Sequence, residues 1–242
     1  MNFSQEITWL LQDKYSGIKT PEFEYDVERL QSGEPLAYII GWQPFCNTKI
    51  FLDSRPLIPR PETEYLISKI ITELSDKQNL KILDLCAGSG CIGVALLKAL
   101  PTSTADFAEL DETHHATILK NIAKNGIDTN RAKIYGGNLF ENITNTYDII
   151  VTNPPYIDPE LSDRIGENVL KFEPELALFS GSKGMQIIIK IAQNALNFLK
   201  SEGFLWIEHE PEQVSQIQQL LPQSEVIQDQ FGVERFTRFF KN

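Results

Sequence analysis

The sequence predicts a doubly wound α/β fold with a seven-stranded, mostly parallel sheet and a small helical region in front of it. From residue 80 onward, short apolar strand patterns alternate with helical patterns, which is typical of a parallel sheet with helices on both faces. A glycine-rich turn at residues 88–93 follows the first of these strands, as in folds that bind nucleotides. Only Phe231-Gly232-Val233-Glu234 separates the last two strand patterns, so we expect these two strands to be antiparallel.

Two short helices are predicted at the N-terminus. The first covers residues 4–14, where Ser4 can cap it and apolar side chains form one stripe. The second begins at Thr20-Pro21-Glu22, which supplies a cap, a first-turn proline and a first-turn acid, and it ends near Gly33. We assign residues 1–34 to this helical region, and it can be either a brace for the main domain or a partner-docking module.

An extended or hairpin linker is predicted over residues 35–60. Aromatic and β-branched residues dominate its first part, and Cys46-Asn47-Thr48 interrupts them as a turn does. Two prolines make the backbone around Arg60 rigid, which marks Arg60 as a candidate functional residue. Glu62 follows in the first turn of a helix, where its charge also suits the helix dipole.

Residues 61–242 form the main domain of the prediction. Its strands are recognised as β-branched or apolar runs, and its helices place apolar residues on one face. The predicted strands are 81–85, 103–109, 132–136, 147–152, 203–208, 224–229 and 235–240. The predicted helices are one that ends near Leu74 and those at 90–100, 112–125, 185–200 and 211–221.

The composition limits the kinds of protein that this chain can be. Its 22 lysines and arginines against 33 aspartates and glutamates give 22 − 33 = −11, which disfavours general binding to nucleic acid. The three cysteines and three histidines form neither a disulfide pattern nor a zinc pattern, so we expect no metal. The N-terminus lacks the apolar core of a signal peptide, and no apolar run is long enough for a membrane span. We therefore expect a soluble cytoplasmic protein.

The tetrapeptide Asn153-Pro154-Pro155-Tyr156 follows a predicted strand, at the edge where open α/β sheets bind their ligands. The Asn153 side-chain carbonyl and the Pro154 backbone carbonyl can together accept both hydrogens of a planar NH2 group. The two prolines make the turn rigid, and Tyr156 adds an apolar face for the bound group. The tetrapeptide therefore predicts a site for an amide or an exocyclic amine, although the same residues are common in plain turns.

A nucleotide site is predicted where the first two strands of the sheet end. Gly88 and Gly90 let the backbone approach a ligand, and Glu109, about twenty residues further on, can bind ribose hydroxyls. These features alone fit a nicotinamide dehydrogenase. The position of Asp84 ahead of the glycines, together with the amine-holding turn, favours S-adenosylmethionine instead. Asp84 then faces the cofactor, and the alternative is that its carboxylate stabilises the loop.

Two residues in the neighbouring loops have two interpretations each. Asp111 competes with Glu109 as the ribose-binding acid, but it is better placed to cap a helix that starts at Glu112. Asn138 can bind an adenine amino group with Leu139 packed on the ring, or it can be a turn residue after two glycines.

Several motifs together resemble one known family. The D-x-x-x-G-x-G run, the acid after the second strand and the Asn-Pro-Pro-Tyr turn resemble class I S-adenosylmethionine-dependent methyltransferases, which have a Rossmann-like fold. Four segments are similar to the HemK/PrmC family within that class: Gly33-Glu34-Pro35-Leu36-Ala37-Tyr38-Ile39-Ile40-Gly41, Leu57-Ile58-Pro59-Arg60-Pro61-Glu62-Thr63-Glu64, Asn153-Pro154-Pro155-Tyr156-Ile157 and Phe172-Glu173-Pro174. Members of that family methylate the side-chain amide nitrogen of the glutamine in the GGQ motif of peptide chain release factors, which act in translation termination.

The resemblance implies a role for each matching residue, with S-adenosyl-L-methionine as cofactor and S-adenosyl-L-homocysteine as product. The implied catalytic residues are Asn153, Pro154 and Tyr156. The implied cofactor-binding residues are Asp84, Ala87, Gly88, Gly90, Glu109, Asn138, Leu139 and Asn153. The implied substrate-binding residues are Asn153, Pro154, Pro155, Tyr156, Arg60 and Glu62.

The chain departs from the family pattern at three places. Cys86 stands where the loop commonly has its first glycine, and Glu210 stands where the family has the glycine of an E-x-G run. Two helices are predicted in front of the main domain, where the family usually has five that contribute to release-factor docking. Glu173 and Arg235 fit family-like positions without an assigned role.

An adenine-N6 methyltransferase acting on DNA or RNA is the alternative function. The Asn-Pro-Pro-Tyr turn can hold the amino group of a flipped adenine as well as it can hold an amide. The net charge of −11 and the lack of a long insert for target recognition favour the protein substrate.

Overall fold

Three helices form the N-terminal region in the computed structural model, which describes residues 3–242. They are α1 (Phe3–Asp13), α2 (Pro21–Gln31) and α3 (Leu36–Ile40). The Thr20 hydroxyl caps α2 as predicted, because it accepts a hydrogen bond of 3.2 Å from the backbone N–H of Phe23. The region has a small apolar cluster of its own, made of Leu10, Phe23, Leu30 and Ile39.

The predicted linker is wrong in its first part and confirmed in its second. Residues Leu36–Ile40 form α3 instead of extended chain, since Pro35 precedes the helix and Gly41 ends it with a left-handed φ of 88°. Five apolar residues in a row fit a buried helix turn as well as a strand, so their pattern could not decide. Strands β1 (Trp42–Phe45) and β2 (Thr48–Phe51) then form the expected antiparallel hairpin.

The main sheet has seven strands within the described chain and confirms the predicted fold class. The strands are β3 (Lys81–Leu85), β4 (Thr104–Glu109), β5 (Ala132–Gly136), β6 (Tyr147–Thr152), β7 (Leu199–Glu208), β8 (Glu225–Gln228) and β9 (Glu234–Phe240). Their order is β5-β4-β3-β6-β7-β9-β8, and β9 alone runs antiparallel to its neighbours. The strand order reverses between β3 and β6, and a crevice for ligands opens at the carboxyl ends beside such a reversal.

Helices pack on both faces of this sheet. They are α4 (Pro61–Glu73), α5 (Cys91–Ala99), α6 (His115–Lys124), α7 (Glu167–Phe172), α8 (Gln186–Asn194) and α9 (Val214–Leu220). The helix predicted at 185–200 ends early, because β7 already begins at Leu199, which pairs with Tyr147. The short helix α7 was not predicted, and it lies between Gly166 and the Glu173-Pro174 pair.

Each face of the sheet buries its own apolar core, since alternate residues of a strand point to opposite sides. Ile82 and Ile149 belong to the core that includes residues of α4, α5 and α6. Leu83 and Ile150 belong to the core that includes residues of α8 and α9. The central strands are therefore buried on both sides and hold the loops at their carboxyl ends in fixed positions. Within residues 3–242, no helix is long and apolar enough to span a bilayer.

Candidate active site

Two cavities share walls at the carboxyl ends of the parallel strands. The first, which we call the glycine-loop cavity, has a volume of about 140 Å³ and walls that include Gly88 and Glu109. The second, the Arg60 cavity, has a volume of about 240 Å³ and walls that include Arg60 and Pro154. Asn153 lines both cavities. It therefore lies at the junction of the two cavities.

The glycine-rich loop joins β3 to α5 and forms one wall of the glycine-loop cavity. Gly88 lies in this wall with a left-handed φ of 53°, and its backbone N–H donates a 2.7 Å hydrogen bond to Oε2 of Glu109. This bond ties the loop after β3 to the end of β4. The loop can therefore approach a ligand while its shape is fixed by a neighbouring strand.

Gly90 and Gly93 serve the packing of the loop. A Cβ atom on Gly93 would lie 2.3 Å from the ring of Phe107, and one on Gly90 would lie 3.0 Å from Ile118. These glycines therefore let α5 sit close against β4 and α6. Gly90 does not line the cavity, so its predicted contact with the cofactor remains a prediction.

Asp84 and Ala87 stabilise the loop through hydrogen bonds to Gly93 and Ala108. Asp84 is fully buried, and its Oδ2 accepts a 2.8 Å hydrogen bond from the backbone N–H of Gly93. Burial raises the pKa of Asp84 to about 8. Ala87 donates its N–H to the carbonyl of Ala108 at 3.1 Å. Neither side chain lines the cavity, so their contact with a cofactor remains a prediction, whereas the loop-stabilising interpretation of Asp84 matches the bond to Gly93.

The two acids after β4 make different contacts. Glu109 lines the glycine-loop cavity and accepts backbone hydrogen bonds from Gly88 at 2.7 Å and from Asp111 at 2.8 Å. Asp111 also borders the cavity, but its Oδ1 accepts a 3.0 Å bond from the backbone N–H of Thr113 and caps the helical turn Glu112–His114. The predicted cap is confirmed, and the Glu109 carboxylate keeps lone pairs that can accept further hydrogen bonds.

Asn138 and Leu139 lie in the wall of the glycine-loop cavity, in the loop after β5. The backbone N–H of Asn138 donates a 3.0 Å hydrogen bond to Glu141, and Leu139 has a left-handed φ of 54°. Leu110 lines the same cavity. The cavity therefore combines apolar side chains with the amide of Asn138, a combination that suits a flat heterocycle with polar edges.

The Asn-Pro-Pro-Tyr turn divides its residues between the two cavities. Pro155 lines the glycine-loop cavity, while Pro154 and Tyr156 line the Arg60 cavity. The Asn153 side chain donates an Nδ2 hydrogen bond of 3.0 Å to the hydroxyl of Thr63. Within residues 3–242, neither Asn153 Oδ1 nor the Pro154 carbonyl oxygen accepts a hydrogen bond from the chain. These two oxygens are therefore free to accept hydrogens from a ligand.

A buried carboxylate without a predicted role lies behind this turn. Glu208 ends β7, and its Oε2 accepts a 2.7 Å hydrogen bond from the hydroxyl of Thr63. Its Oε1 accepts a 3.1 Å bond from the hydroxyl of Tyr156. Burial is the main cause that raises the pKa of Tyr156 well above its ordinary value, and the charge of Glu208 adds to it.

Arg60 is held by an acid that lies 113 residues further along the sequence. One of its guanidinium nitrogens, Nη2, donates a 2.8 Å hydrogen bond to Oε1 of Glu173, which is buried. The other oxygen of Glu173 accepts a 2.9 Å bond from the backbone N–H of Ile58. Glu173 therefore holds the rigid segment ahead of α4 in place. Glu62 lines neither cavity, so its predicted contact with the substrate remains a prediction.

Arg235, the other residue without an assigned role, braces the turn between β8 and β9. Its Nε donates a 3.0 Å hydrogen bond to Asp229, and its Nη1 lies 3.3 Å from Oε2 of Glu210. The first contact is with the β8–β9 turn, and the second is with the loop after β7. The described residues hold no group of histidines, cysteines and acids that could bind a metal ion.

Comparison with known proteins identifies the family. The family model "Methyltransferase small domain" matches residues 63–176. The chain is 34% identical over 216 residues to the release factor glutamine methyltransferase of Lactococcus lactis subsp. lactis (strain IL1403), which covers 86% of this chain and 78% of that protein. It is 35% identical over 237 residues to the enzyme of the same name from Streptococcus pneumoniae (strain ATCC BAA-255 / R6), covering 95% and 84%.

The chain belongs to the release factor glutamine methyltransferase family. Membership confirms the resemblance to HemK/PrmC enzymes. It also confirms the prediction that the chain is an S-adenosylmethionine-dependent methyltransferase. Family membership does not test the roles of individual site residues, and these stay predictions.

Solved structures agree on the fold. The T. thermophilus 16S rRNA methyltransferase RsmC in complex with AdoMet and guanosine has a TM-score of 0.58 at 15% identity, covering 83% of this chain and 50% of that one. The ribosomal protein L11 methylase from Lactobacillus delbrueckii subsp. bulgaricus has a TM-score of 0.57 at 14% identity, covering 78% and 83%. At these identities the likeness shows a shared methyltransferase fold and nothing about substrate.

The backbone conformation at Cys86 explains why the family pattern has glycine at this position. Cys86 has a φ of 62°, in the left-handed region that glycine adopts without steric cost. A glycine at this position in the family pattern is therefore understandable, and this chain keeps the same backbone turn with a side chain. Cys86 also lines the glycine-loop cavity.

The glycine-loop cavity fits the cofactor that this family uses. Leu110 and Leu139 offer apolar surface for the adenine ring, and Asn138 offers a polar group at its edge. Glu109 offers acceptor oxygens for the ribose hydroxyls. Asn153 lies at the junction of this cavity with the Arg60 cavity.

Proposed function

We propose that this chain transfers a methyl group from S-adenosylmethionine to the side-chain amide nitrogen of the glutamine in the GGQ motif of peptide chain release factors. The relatives of this chain carry the name of that activity. The observation that carries the proposal is the position of Asn153 between the two cavities, with its Oδ1 free of hydrogen bonds from residues 3–242. An oxygen at this junction that is free to accept a hydrogen bond can hold the NH2 group of a substrate amide.

The acceptor amide is held by two oxygens of the chain. Asn153 Oδ1 and the Pro154 carbonyl accept the two hydrogens of its NH2 group, and this orients the nitrogen lone pair toward the glycine-loop cavity. As the nitrogen forms its new bond it gains positive charge, and the same two oxygens stabilise that charge. Tyr156 packs beside the amide in the Arg60 cavity.

Direct in-line transfer needs no base to remove a proton first. An amide nitrogen is a weak nucleophile because its lone pair is delocalised, and the two acceptor oxygens compensate by orientation and electrostatics. When bound, the cofactor supplies a methyl group already activated by a positively charged sulfur. The proton on the product nitrogen then leaves to water.

The cofactor is held on the other side of Asn153 by the glycine-loop cavity. Gly88 forms its wall, Glu109 accepts hydrogen bonds from the ribose, and Asn138 with Leu139 contacts the adenine. The loop around Asp84, Ala87 and Gly90 shapes this wall from behind.

The release factor docks against the Arg60 cavity and the N-terminal helices. Arg60 and Glu62 shape the entrance for the glutamine, and residues 1–34 serve as a docking region connected through the linker 35–60 to the methyltransferase domain 61–242. The small apolar cluster that joins α1, α2 and α3 makes this region a rigid surface. The expected place of the reaction is the cytoplasm.

Methyl transfer with labelled S-adenosylmethionine tests this function. The purified chain is incubated with a release factor, with a copy in which the GGQ glutamine is replaced, and with DNA and ribosomal RNA in parallel. We expect label on the intact release factor and none on the altered copy. Label on nucleic acid alone would replace the proposal with the adenine-N6 alternative.

A further inference from the structure

A chain of three hydrogen bonds, one buried and two partly buried, runs behind the acceptor turn and joins segments that are far apart in the sequence. Glu208 accepts hydrogen bonds from Thr63 at 2.7 Å and from Tyr156 at 3.1 Å. Thr63 in turn accepts a 3.0 Å hydrogen bond from Nδ2 of Asn153. Thr63 is 2% exposed and Glu208 is 1% exposed, so the bond between them is shielded from water.

The direction of each bond follows from the chemistry of the groups. An ionised carboxylate only accepts hydrogen bonds, so Thr63 must donate its single hydroxyl hydrogen to Glu208. The Thr63 oxygen then has only lone pairs left for Asn153, which must therefore present its NH2 group there. This leaves the carbonyl oxygen Oδ1 of Asn153, a residue that lines both cavities, without a bond to Thr63.

We propose that Thr63 and Glu208 are positioning residues that fix the orientation of the Asn153 side-chain amide, so that its oxygen faces the acceptor while Glu208 is ionised. The inference rests on the proposed function, because the two hydrogens of the substrate amide need hydrogen-bond acceptors, and the Asn153 side chain has an acceptor only at Oδ1. Glu208 fixes the Tyr156 hydroxyl at the same time, and one carboxylate therefore aligns both sides of the turn.

The need for such a device comes from the shape of an asparagine side chain. Its oxygen and its NH2 group are nearly the same size, so packing alone does not distinguish the two orientations. In the wrong orientation, donors of Asn153 would face donors of the acceptor amide. Such a misaligned group costs about 10²-fold in rate in well-oriented reactions.

The orientation depends on the charge state of Glu208. If Glu208 is protonated, it can donate to Thr63, which is then free to give its own hydrogen to Asn153 and to stabilise the wrong orientation. The charged groups that act on Glu208 are Glu62 on α4 and Arg235 on β9, and Tyr156 and Thr63 bond to it directly. Burial is the largest cause that raises the pKa of Glu208, to about 7, so this switch lies near neutral pH.

Paired substitutions of Thr63 test the proposal in the labelled transfer assay. Thr63→Val removes the hydroxyl at nearly constant shape, and we expect kcat to fall about 10²-fold while the dissociation constant for S-adenosylmethionine stays the same. Thr63→Ser keeps the hydroxyl and should restore most of the rate. Thr48→Val is a matched control, since Thr48 is also buried but bonds to the Phe45 carbonyl in the β1–β2 hairpin. Full activity of Thr63→Val would overturn the proposal.

The side-chain amide signals of Asn153 in a nitrogen-15 NMR spectrum test the geometry without any substrate. They are assigned by their loss in Asn153→Asp. We expect both signals to shift in Thr63→Val and to stay near their wild-type positions in Thr63→Ser. Unchanged signals in Thr63→Val would overturn the hydrogen bond, and with it the proposal.

The pH profile of kcat tests the part of Glu208. We expect a wild-type kcat that falls below about pH 7 with a single ionisation and a Glu208→Gln variant without that limb. The same limb in both proteins would remove Glu208 from the proposal. A wild-type chain that labels no release factor would contradict the proposed function instead, and the amide signals would then decide the positioning role alone.

Discussion

The two halves of the site are built in different ways. On the cofactor side, the contacts are local: Gly88 bonds to Glu109, 21 residues away, and Gly93 bonds to Asp84, 9 residues away. On the acceptor side, the contacts join remote segments: Asn153 bonds to Thr63 across 90 residues, and Thr63 bonds to Glu208 across 145.

The difference also appears in the kind of bond. The cofactor side uses backbone N–H groups that bond to acids, so its shape depends on the course of the chain around the glycines. The acceptor side uses bonds between side chains, so single substitutions can reorient it without disturbing the backbone. We therefore expect substitutions on the acceptor side to affect turnover and those on the cofactor side to affect binding or stability.

Replacement of Asn153 should have the largest effect. Asn153→Ala removes one of two acceptors for the substrate amide, and we expect kcat to fall about 10²- to 10³-fold while the affinity for S-adenosylmethionine changes little. Single-turnover transfer and calorimetric titration with the cofactor measure the two quantities. Equal losses in both would mean that the two halves of the site are not separable.

Replacement of Glu109 should have the opposite profile. Glu109→Ala removes a carboxylate that bonds to two backbone amides and borders the cofactor, and we expect the affinity for S-adenosylmethionine to fall about 10- to 100-fold. The kcat at saturating cofactor should stay near the wild-type value. Asp111→Ala is the matched control with a small effect, and a larger loss of affinity there than in Glu109→Ala would transfer the ribose role to Asp111.

The ionised form of Glu208, which we expect to aid turnover, should lower the free energy of unfolding. Its pKa in the folded protein is about 7 against an ordinary 4.5, so the folded state binds more protons between these values. The stability that goes with the protonated form is complete below pH 4.5 and is lost as the pH rises through 7. We expect Glu208→Gln to raise the free energy of unfolding by about 1 to 3 kcal/mol at pH 8, with little gain at pH 5. Urea titrations at both pH values measure this, and a destabilised variant at pH 8 would contradict the account.

Replacement of a packing glycine should have the smallest effect on chemistry. Gly93→Ala would place a methyl group 2.3 Å from the Phe107 ring, and we expect a loss of about 1 to 3 kcal/mol in the free energy of unfolding. Gly166→Ala is the control, because no atom lies within 4 Å of the added group there. Equal midpoints of thermal unfolding in the two variants would show that the loop has room to relax.

The same contrast explains what the sequence could predict. The strand positions, the antiparallel last pair, the Glu109 position and the cap by Asp111 all follow from local patterns of one strand and its turn. The helix Leu36–Ile40 was missed because five apolar residues fit two structures equally well.

The acceptor-side partners could not be predicted from local patterns. Thr63 lies between two acids in the first turn of a helix, where the usual interpretation is a cap or a solvent-facing side chain. Its partner Glu208 ends a strand 145 residues away. Glu173 likewise reaches Arg60 across 113 residues. Only the folded sheet brings these side chains together, so their roles follow from geometry. A buried acid at the end of an apolar strand was the one available signal for Glu208.

The most direct test of the central claim is mass spectrometry of the release-factor peptide that contains the GGQ motif, after reaction with the wild-type chain and with Asn153→Ala. The account predicts one added methyl group on the glutamine side chain with the wild-type chain and almost none with Asn153→Ala. A methyl group on another residue of the peptide, or full methylation by Asn153→Ala, would contradict it.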